Sequence, residues 1–449
     1  MNNLTDFPYN NILILGLAKS GTASAQILLE LGKRVRVNDM NAKESDSNVQ
    51  ELKEMGAEVI VGSHPLFVLD GVHIVIKNPG IPYTNPIVQE AEKRGISVVT
   101  EVELASYLTE GEIIGITGSN GKTTTTTLIH DMMKASKRPV KLGGNIGIVA
   151  SEAAYEAEKD DSLVLELSSF QLQGIEQFKP KIAVILNLFE AHLDFHETFE
   201  NYKNAKFNLI KNQTEADYLV YNYEDDEIVG EVRKTKAKKI PFSVRHKLKE
   251  GAWASENHIY YKNEKIMDRK DIVLVGDHNL ENILAAVAVV KLSGGTNEGI
   301  QEVLTHFTGV KHRLQFVDRV NGRVFYNDSK ATNMLATEKA LRSFKQPVIL
   351  LAGGLDRGNE FTDLLPYLNH VTAMVVFGET KEKLKELALE AGIEQVATVE
   401  NVKEACEQAY SFSKEGDVIL LSPACASWDQ YRTFEERGDM FIQAVHTLK

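Results

Sequence analysis

GITGSNGKTTTTT, residues Gly115 to Thr127, has a strand's apolar residues on one side and a helix's threonines on the other. Ile113, Ile114 and Ile116 make a buried strand, and the glycines after it allow a tight turn with converging N–H groups. A helix that opens just beyond such a turn favours an anion at its N-terminus. Lys122 can reach terminal phosphates, and the Thr123 hydroxyl is placed to ligate Mg²⁺. The strict phosphate-loop pattern G-x-x-x-x-G-K-[ST] wants glycine where Ile116 stands, so TGSNGKT is a shortened variant. Gly118, Ser119, Asn120, Gly121, Lys122, Thr123 and Thr124 are the candidate nucleotide cradle, and the later threonines read as scaffold. The competing reading is a Gly/Ser/Asn turn that merely precedes a lysine. The strand before it and the helix after it favour the nucleotide.

On both sides of this loop, apolar runs alternate with amphipathic stretches, the pattern of parallel sheets flanked by helices. NILILGLAKSG, TASAQILLELG and RVRVNDM form a βαβ unit, and GVHIVIKNPGIP is a further strand ending in a ligand-facing loop. EIIGITGSNGK begins a fresh unit, which puts a boundary near residues 105–110. SLVLELSSFQ and IAVILNLFEAHLDFH are strands that each run into polar residues. Asp217 to Asp271 reads as polar and irregular, with short strand-like pieces such as HIYYKNEKI and no functional reading. HNLENILAAVAVVKL is a helix, and around FTGVKHRLQFV the pattern resets. GRVFYNDS, QPVILLAGG, VTAMVVFGE and GDVILLSPA are the strands of the last region.

A chain of 449 residues exceeds one ordinary core, so two or three domains are expected. Hydrophobic and charged fractions of 43% and 25% are those of a globular protein in water. A net charge of −13 argues against a nucleic-acid backbone as the main partner. Two cysteines, Cys406 and Cys425, are too few for a disulfide framework. No secretory signal and no run long enough to span a bilayer is visible, so the expectation is a cytoplasmic protein without a membrane partner.

Other strand ends carry polar clusters. VLELSSFQL offers Glu166, then Ser168 and Gln171; NLFEAHLDFH offers Glu190, His192, Asp194 and His196. H-x-D-x-H is compatible with a metal site and equally with a surface turn. Beside a phosphate loop, one of these histidines reads as a metal or substrate contact. Asn145 lies in the glycine-rich GGNIG. GLAKSG approaches the dinucleotide fingerprint G-x-G-x-x-G but has Ala18 at the middle glycine, and Asp39 follows where a ribose-binding acid would stand. A nucleoside diphosphate near Lys19 and Ser20 fits it better than NAD, with a ligand-free turn as the alternative.

Taken in order, GITGSNGKTTT, GGNIG, LELSSFQL, HLDFH…NYKNAK, GDHNLEN, KHRLQ, NDSKATN and SPACASWDQY resemble the Mur ligase family, across essentially the whole chain. The resemblance implies an α/β fold of three domains. These would be a Rossmann-like UDP-substrate domain at 1–107, a central P-loop ATPase-like domain with a mostly parallel sheet at 108–309, and a Rossmann-like amino-acid domain at 310–449. It implies addition of D-glutamate to UDP-N-acetylmuramoyl-L-alanine through an acyl phosphate made with ATP, by an enzyme expected to be a monomer. Lys122, His192 and Lys206 would be catalytic, and Thr123, Glu166, His192 and Lys206 would serve Mg²⁺, two ions being expected. Lys206, ending NYKNAK, matches the family lysine that CO₂ carbamylates. Asn279, Asn282, Arg313, Asp328 and Lys330 match ATP contacts. Lys19, Ser20, Asp39, Met40, Asn78 and Gly80 match the uracil and diphosphate pocket, with Asn145, Ser168 and Gln171 also on the substrate side. Thr332, Ser427 and Phe434 match the surroundings of D-glutamate. Some members carry lysine in GGDGK; here GGLDRGNEF has Arg357 at that place, and arginine can grip a carboxylate through two parallel N–H groups.

The alternatives are an L-alanine-adding relative, a nucleotide-switched binding protein and an NAD-linked oxidoreductase. DSKATN with SPACASWDQY favours D-glutamate over the first. The second leaves the C-terminal motifs without a purpose, and the third wastes the phosphate loop.

Overall fold

Short apolar runs, each ending in a glycine-bearing or polar turn, build three separate sheets. The computed structural model describes residues 4, 6–274 and 276–448. The first sheet has β1 (Asn11–Leu15), β2 (Arg34–Asp39), β3 (Glu58–Val61), β4 (Ile74–Lys77) and β5 (Ser97–Thr100). All are parallel, in the order β3-β2-β1-β4-β5. The second has β6 (Glu112–Thr117), β7 (Val140–Gly144), β8 (Ser162–Glu166), β9 (Ile182–Ile185), β10 (Tyr218–Asn222), β11 (Lys238–Ser243), β12 (Ala252–Ala254), β13 (His258–Tyr261) and β14 (Glu264–Asp268). Its order is β14-β13-β12-β11-β10-β9-β6-β8-β7, parallel except for β13 and β14 at one edge. The third has β15 (Gln315–Val320), β16 (Arg323–Asn327), β17 (Val348–Gly353), β18 (Val371–Phe377), β19 (Gln395–Thr398) and β20 (Val418–Leu421). Its order is β15-β16-β20-β17-β18-β19, with only β15 antiparallel to its neighbour.

The first two sheets share one compact unit, the chain up to Asp271 with His278–Thr305. The third sheet belongs to a second unit, Ile272–Asp277 with the chain from His306 onward. Within the first unit the end of β5 is bonded to the second sheet's loops. The Thr100 N–H donates to the Gly174 carbonyl at 2.7 Å, and the Glu103 carboxylate accepts from the N–H groups of Glu176, Gln177 and Phe178 at 2.8, 2.7 and 3.1 Å.

In the second unit both sheet faces are covered: Leu350, Val376 and Leu420 pack on one side, Ile349, Val375 and Ile419 on the other. That is why QPVILLAGG and GDVILLSPA read as unbroken apolar runs. Burying each such side chain contributes roughly 1.5–3 kcal/mol. The Lys122–Ala135 helix buries Leu128, Ile129, Met132 and Met133, a single face at helical spacing.

Asp217–Asp271, expected to be irregular, is regular over most of its length: it supplies β10 to β14 and the Asp226–Val232 helix. Lysines and Pro241 dilute the apolar signal of β11; β10 joins the segment to the sheet through β9, and β11 to β14 follow by pairing each with the next. A stacked Trp253–Tyr260 pair, ring centroids 4.2 Å apart, joins β12 to β13.

Candidate active site

The nucleotide-loop residues leave the C-terminal end of β6, between β9 and β8. Ligands of parallel sheets collect at that end. Gly121 has φ +81°, and a Cβ there would lie 2.1 Å from Asn282 Oδ1, so only glycine lets Asn282 reach the loop. Asn282 Nδ2 donates to Asn279 Oδ1 at 3.3 Å, which brings both asparagines to this turn. Lys122 Nζ donates to the carbonyls of Gly118 and Ser119 at 2.7 and 3.2 Å. Thr126 and Thr127 donate back to the carbonyls of Lys122 and Thr123, the scaffold role expected of the later threonines.

Two residues that sequence reading passed over brace the loop. Asn187 Oδ1 accepts from the Asn120 N–H at 2.8 Å, and the Tyr202 hydroxyl meets Ser119 Oγ at 2.9 Å. Their only signal was position, after β9 and inside NYKNAK.

Lys206 is 1% exposed, its Nζ 2.9 Å from the Gly118 carbonyl oxygen and 4.6 Å from the Tyr202 ring centroid. Burial, then the Lys122 charge, holds its amine well below the ordinary lysine value, while Glu166 acts the other way. His192 stands exposed in the left-handed region at φ +56°. Partial burial, then Lys206, lowers its imidazole pKa.

Glu166 ends β8 beside β6. Its Oε1 accepts from Asn145 Nδ2 at 3.0 Å, whereas Oε2 is buried with no hydrogen-bond partner among the described residues. Gly144, at φ +100°, brings the GGNIG loop this close: a Cβ would meet the Glu166 carbonyl oxygen at 2.2 Å. Ser168 caps the Ser169–Gln173 helix, its N–H and hydroxyl donating to Gln171 Oε1 at 3.0 and 2.8 Å.

In the first sheet the strand order reverses between β1 and β4, and both following loops carry predicted residues. Asn78 Nδ2 donates to Ser20 Oγ at 3.2 Å, and the Gly80 N–H to Asn78 Oδ1 at 3.2 Å. Lys19 Nζ donates to the Gly147 carbonyl at 2.8 Å, tying this loop to GGNIG. Asp39, at the end of β2, accepts from the N–H groups of Leu17, Asn41 and Ala42, while Met40 beside it is exposed. Although burial acts the other way, those hydrogen bonds leave the Asp39 pKa below its ordinary value. Lys77 was not foreseen: it is buried, donates to the Ile81 carbonyl at 2.9 Å, and burial pushes its amine down to about 8.

In the second unit three loops leave the ends of adjacent strands β16, β20 and β17. Buried Arg437, also unforeseen, joins them by donating to Ser329 Oγ and to the Gly353 and Cys425 carbonyls. Ser427 Oγ is buried with no partner among the described residues. Lys330 Nζ lies 5.0 Å from the Phe434 ring centroid, and the Arg357 guanidinium 4.9 Å from that of Trp428. Asp328 accepts from the Leu314 N–H and Ser422 Oγ, and burial raises its carboxyl to about 7 against the pull of these bonds and of Arg313. The Thr332 N–H donates to the Lys330 carbonyl in the same loop.

The chain matches three family models in succession. These are a Mur ligase MurD-like N-terminal domain over residues 10–100, a Mur ligase middle domain over 116–290, and a Mur ligase glutamate ligase domain over 312–425. The chain belongs to the Mur ligase family. Among its relatives, the UDP-N-acetylmuramoylalanine--D-glutamate ligase of Oceanobacillus iheyensis is 59% identical over 449 residues, covering 100% of both chains. The enzyme of the same name from Bacillus subtilis is 58% identical over 441 residues, 98% of each. Among solved structures, the MurF ligase of Thermotoga maritima in complex with ADP shares the fold at a TM-score of 0.57 and 18% identity, covering 100% of this chain and 98% of that one.

Proposed function

We infer that the protein is an ATP-dependent amide-forming ligase. It joins the carboxylate of UDP-N-acetylmuramoyl-L-alanine to the amine of D-glutamate in peptidoglycan precursor synthesis. Full-length identity to relatives named for that reaction carries the conclusion. A carboxylate does not condense with an amine unaided, so the γ-phosphoryl group of ATP is first transferred to it. The amine then attacks the acyl phosphate, and phosphate leaves.

In this reading the β6 loop is the P-loop and the outer sheets are Rossmann-like nucleotide and amino-acid domains. Lys122 exchanges its loop carbonyls for the transferring phosphate, and its charge offsets the negative charge that builds there. Asn279 and Asn282 face the adenine side. The first sheet holds the UDP end through Lys19, Ser20, Asp39, Met40, Asn78 and Gly80, while Asn145, Ser168 and Gln171 meet the rest of that substrate.

Among the described residues no three His, Cys, Asp or Glu side chains gather as a metal site, so protein groups would fill only part of a magnesium shell. Glu166 Oε2, buried and unpartnered, suits that partial role, and Thr123 and neutral His192 would complete the protein's share. When bound, Mg²⁺ would neutralise phosphate charge and align the phosphoryl group. The lowered pKa of Lys206 favours the free amine that CO₂ requires, and a carbamate there would add an anion toward the metal.

Arg313, Asp328 and Lys330 are further ATP contacts. Thr332, Arg357, Ser427 and Phe434 surround D-glutamate. The enzyme acts as a monomer in the cytoplasm. No helix among the described residues is long and apolar enough to cross a membrane.

The test is phosphate release from ATP with UDP-N-acetylmuramoyl-L-alanine and one amino acid at a time: D-glutamate, L-glutamate, L-alanine or L-lysine. Release is expected only with D-glutamate, and release indifferent to the amino acid would overturn the assignment.

A further inference from the structure

Glu101 follows β5 and is 2% exposed, with no lysine or arginine paired to it among the described residues. Burying a carboxylate without a cation is costly unless donors satisfy it. Two do. The Ser151 N–H donates to Oε2 at 3.1 Å and Gln171 Nε2 donates to Oε1 at 3.3 Å. Burial raises its carboxyl to about 7, and these two bonds oppose the shift together with the Ser151 hydroxyl.

At the other end of the Gln171 carboxamide, Oε1 accepts from the Ser168 N–H, which can only donate, and from the Ser168 hydroxyl. A flipped amide would set Nε2 against the Ser168 N–H and Oε1 against a carboxylate, so Glu101 and the Ser168 backbone together fix one orientation. That orientation directs the Ser168 hydroxyl proton to Gln171. The second Nε2 proton and a Ser168 Oγ lone pair are then the groups without a protein partner among the described residues. Thr100, next in the chain, secures the same short helix, its hydroxyl donating to the Gln171 carbonyl at 2.7 Å. A hydrogen-bonded path thus runs from the end of β5, neighbour of β4, the strand that leads into Asn78, to the turn after Glu166.

We propose that Glu101 is a positioning residue for the UDP-substrate, acting through Gln171: it holds the carboxamide in the orientation that presents Gln171 and Ser168 to the ligand. The proposal rests on reading Ser168 and Gln171 as contacts of that substrate.

The experiment is a double-mutant cycle of Glu101→Ala and Gln171→Ala, with KM measured separately for UDP-N-acetylmuramoyl-L-alanine and for ATP, and circular dichroism to verify folding at the assay temperature. Each single variant is expected to raise the KM for the UDP-substrate about tenfold, with the double variant no worse than Gln171→Ala alone. The KM for ATP stays unchanged. Glu101→Gln can accept from only one of the two donors, so it should fall between wild type and Glu101→Ala; it also carries the cycle if the alanine variant does not fold. Multiplied effects in the double variant, or an equal rise in both KM values, overturn the proposal while leaving Gln171 a contact. An unchanged KM in Gln171→Ala overturns the reading of Gln171 itself, and any effect of Glu101→Ala then belongs to another route.

Discussion

Lys122 and Lys206 donate to one and the same oxygen, the Gly118 carbonyl, at 2.7 and 2.9 Å. Burial is the first cause that holds the Lys206 amine down, and the neighbouring Lys122 charge adds to it. The loop therefore holds Lys122 beside a second lysine whose protonation is disfavoured.

Replacing Lys206 separates its chemistry from its effect on folding. The folded amine titrates below its unfolded value, so its stabilising contribution is present above the ordinary 10.5 and is lost as pH falls through the folded value. At neutral pH the lysine therefore works against folding. Lys206→Met should lose activity while melting no lower than wild type, as read by assay and calorimetry. Lys206→Ala should regain part of its activity with added acetate or formate; full activity without them would dismiss the carbamate.

Gly121→Ala should abolish nucleotide binding. A methyl group there would overlap Asn282 Oδ1, and alanine disfavours φ +81°. We expect about 1–3 kcal/mol of destabilisation, and no ATP-dependent rise in melting temperature. Adding Asn282→Ala relieves the overlap but not the backbone, so recovery should be incomplete.

Glu103→Ala removes the acceptor of three N–H groups that join the first two sheets. A loss of roughly 3 kcal/mol or more is expected, because each donor left unpaired costs on the order of 1–3 kcal/mol. Urea unfolding measures it. A loss below about 1 kcal/mol would mean that water replaces the carboxylate.

Asp328 should make the C-terminal unit less stable as pH rises. Its folded value, about 7, lies above the unfolded 3.8, so the folded state keeps a proton that the unfolded state releases. The stability is fully present below about 4 and falls up to about 7, by as much as about 4 kcal/mol at ~1.36 kcal/mol per unit. Thermal melts of wild type and Asp328→Asn across this range should differ in slope, with the variant flatter.

How much was legible varies with the kind of feature. Strands that read directly, such as SLVLE and VILLAG, are buried on both faces, and their continuous apolar runs are a local property. HIYYKNEKI was legible as strand, but most of Asp217–Asp271 was not: β11 opens on two exposed lysines and holds Pro241, and β10 joins the sheet through β9, which lies outside the segment. Gly121, Lys122 and Glu166 could be singled out because a tight turn, the lysine that follows it and a strand-end carboxylate each have a fixed place along the chain.

The sequence by itself determined the order of the motifs, the family and the turns where glycine is required, since these depend on neighbours along the backbone. Only the tertiary structure decided that Glu101 reaches Gln171, that Asn187 and Tyr202 brace the nucleotide loop, and that Arg437 joins three loops at buried carbonyls. Those pairings come from sheet order, which brings distant strand ends together. Burial then does the rest: it lowers the Lys206 amine and raises the Asp328 carboxyl because each is removed from water, a property that no residue carries in its own letter.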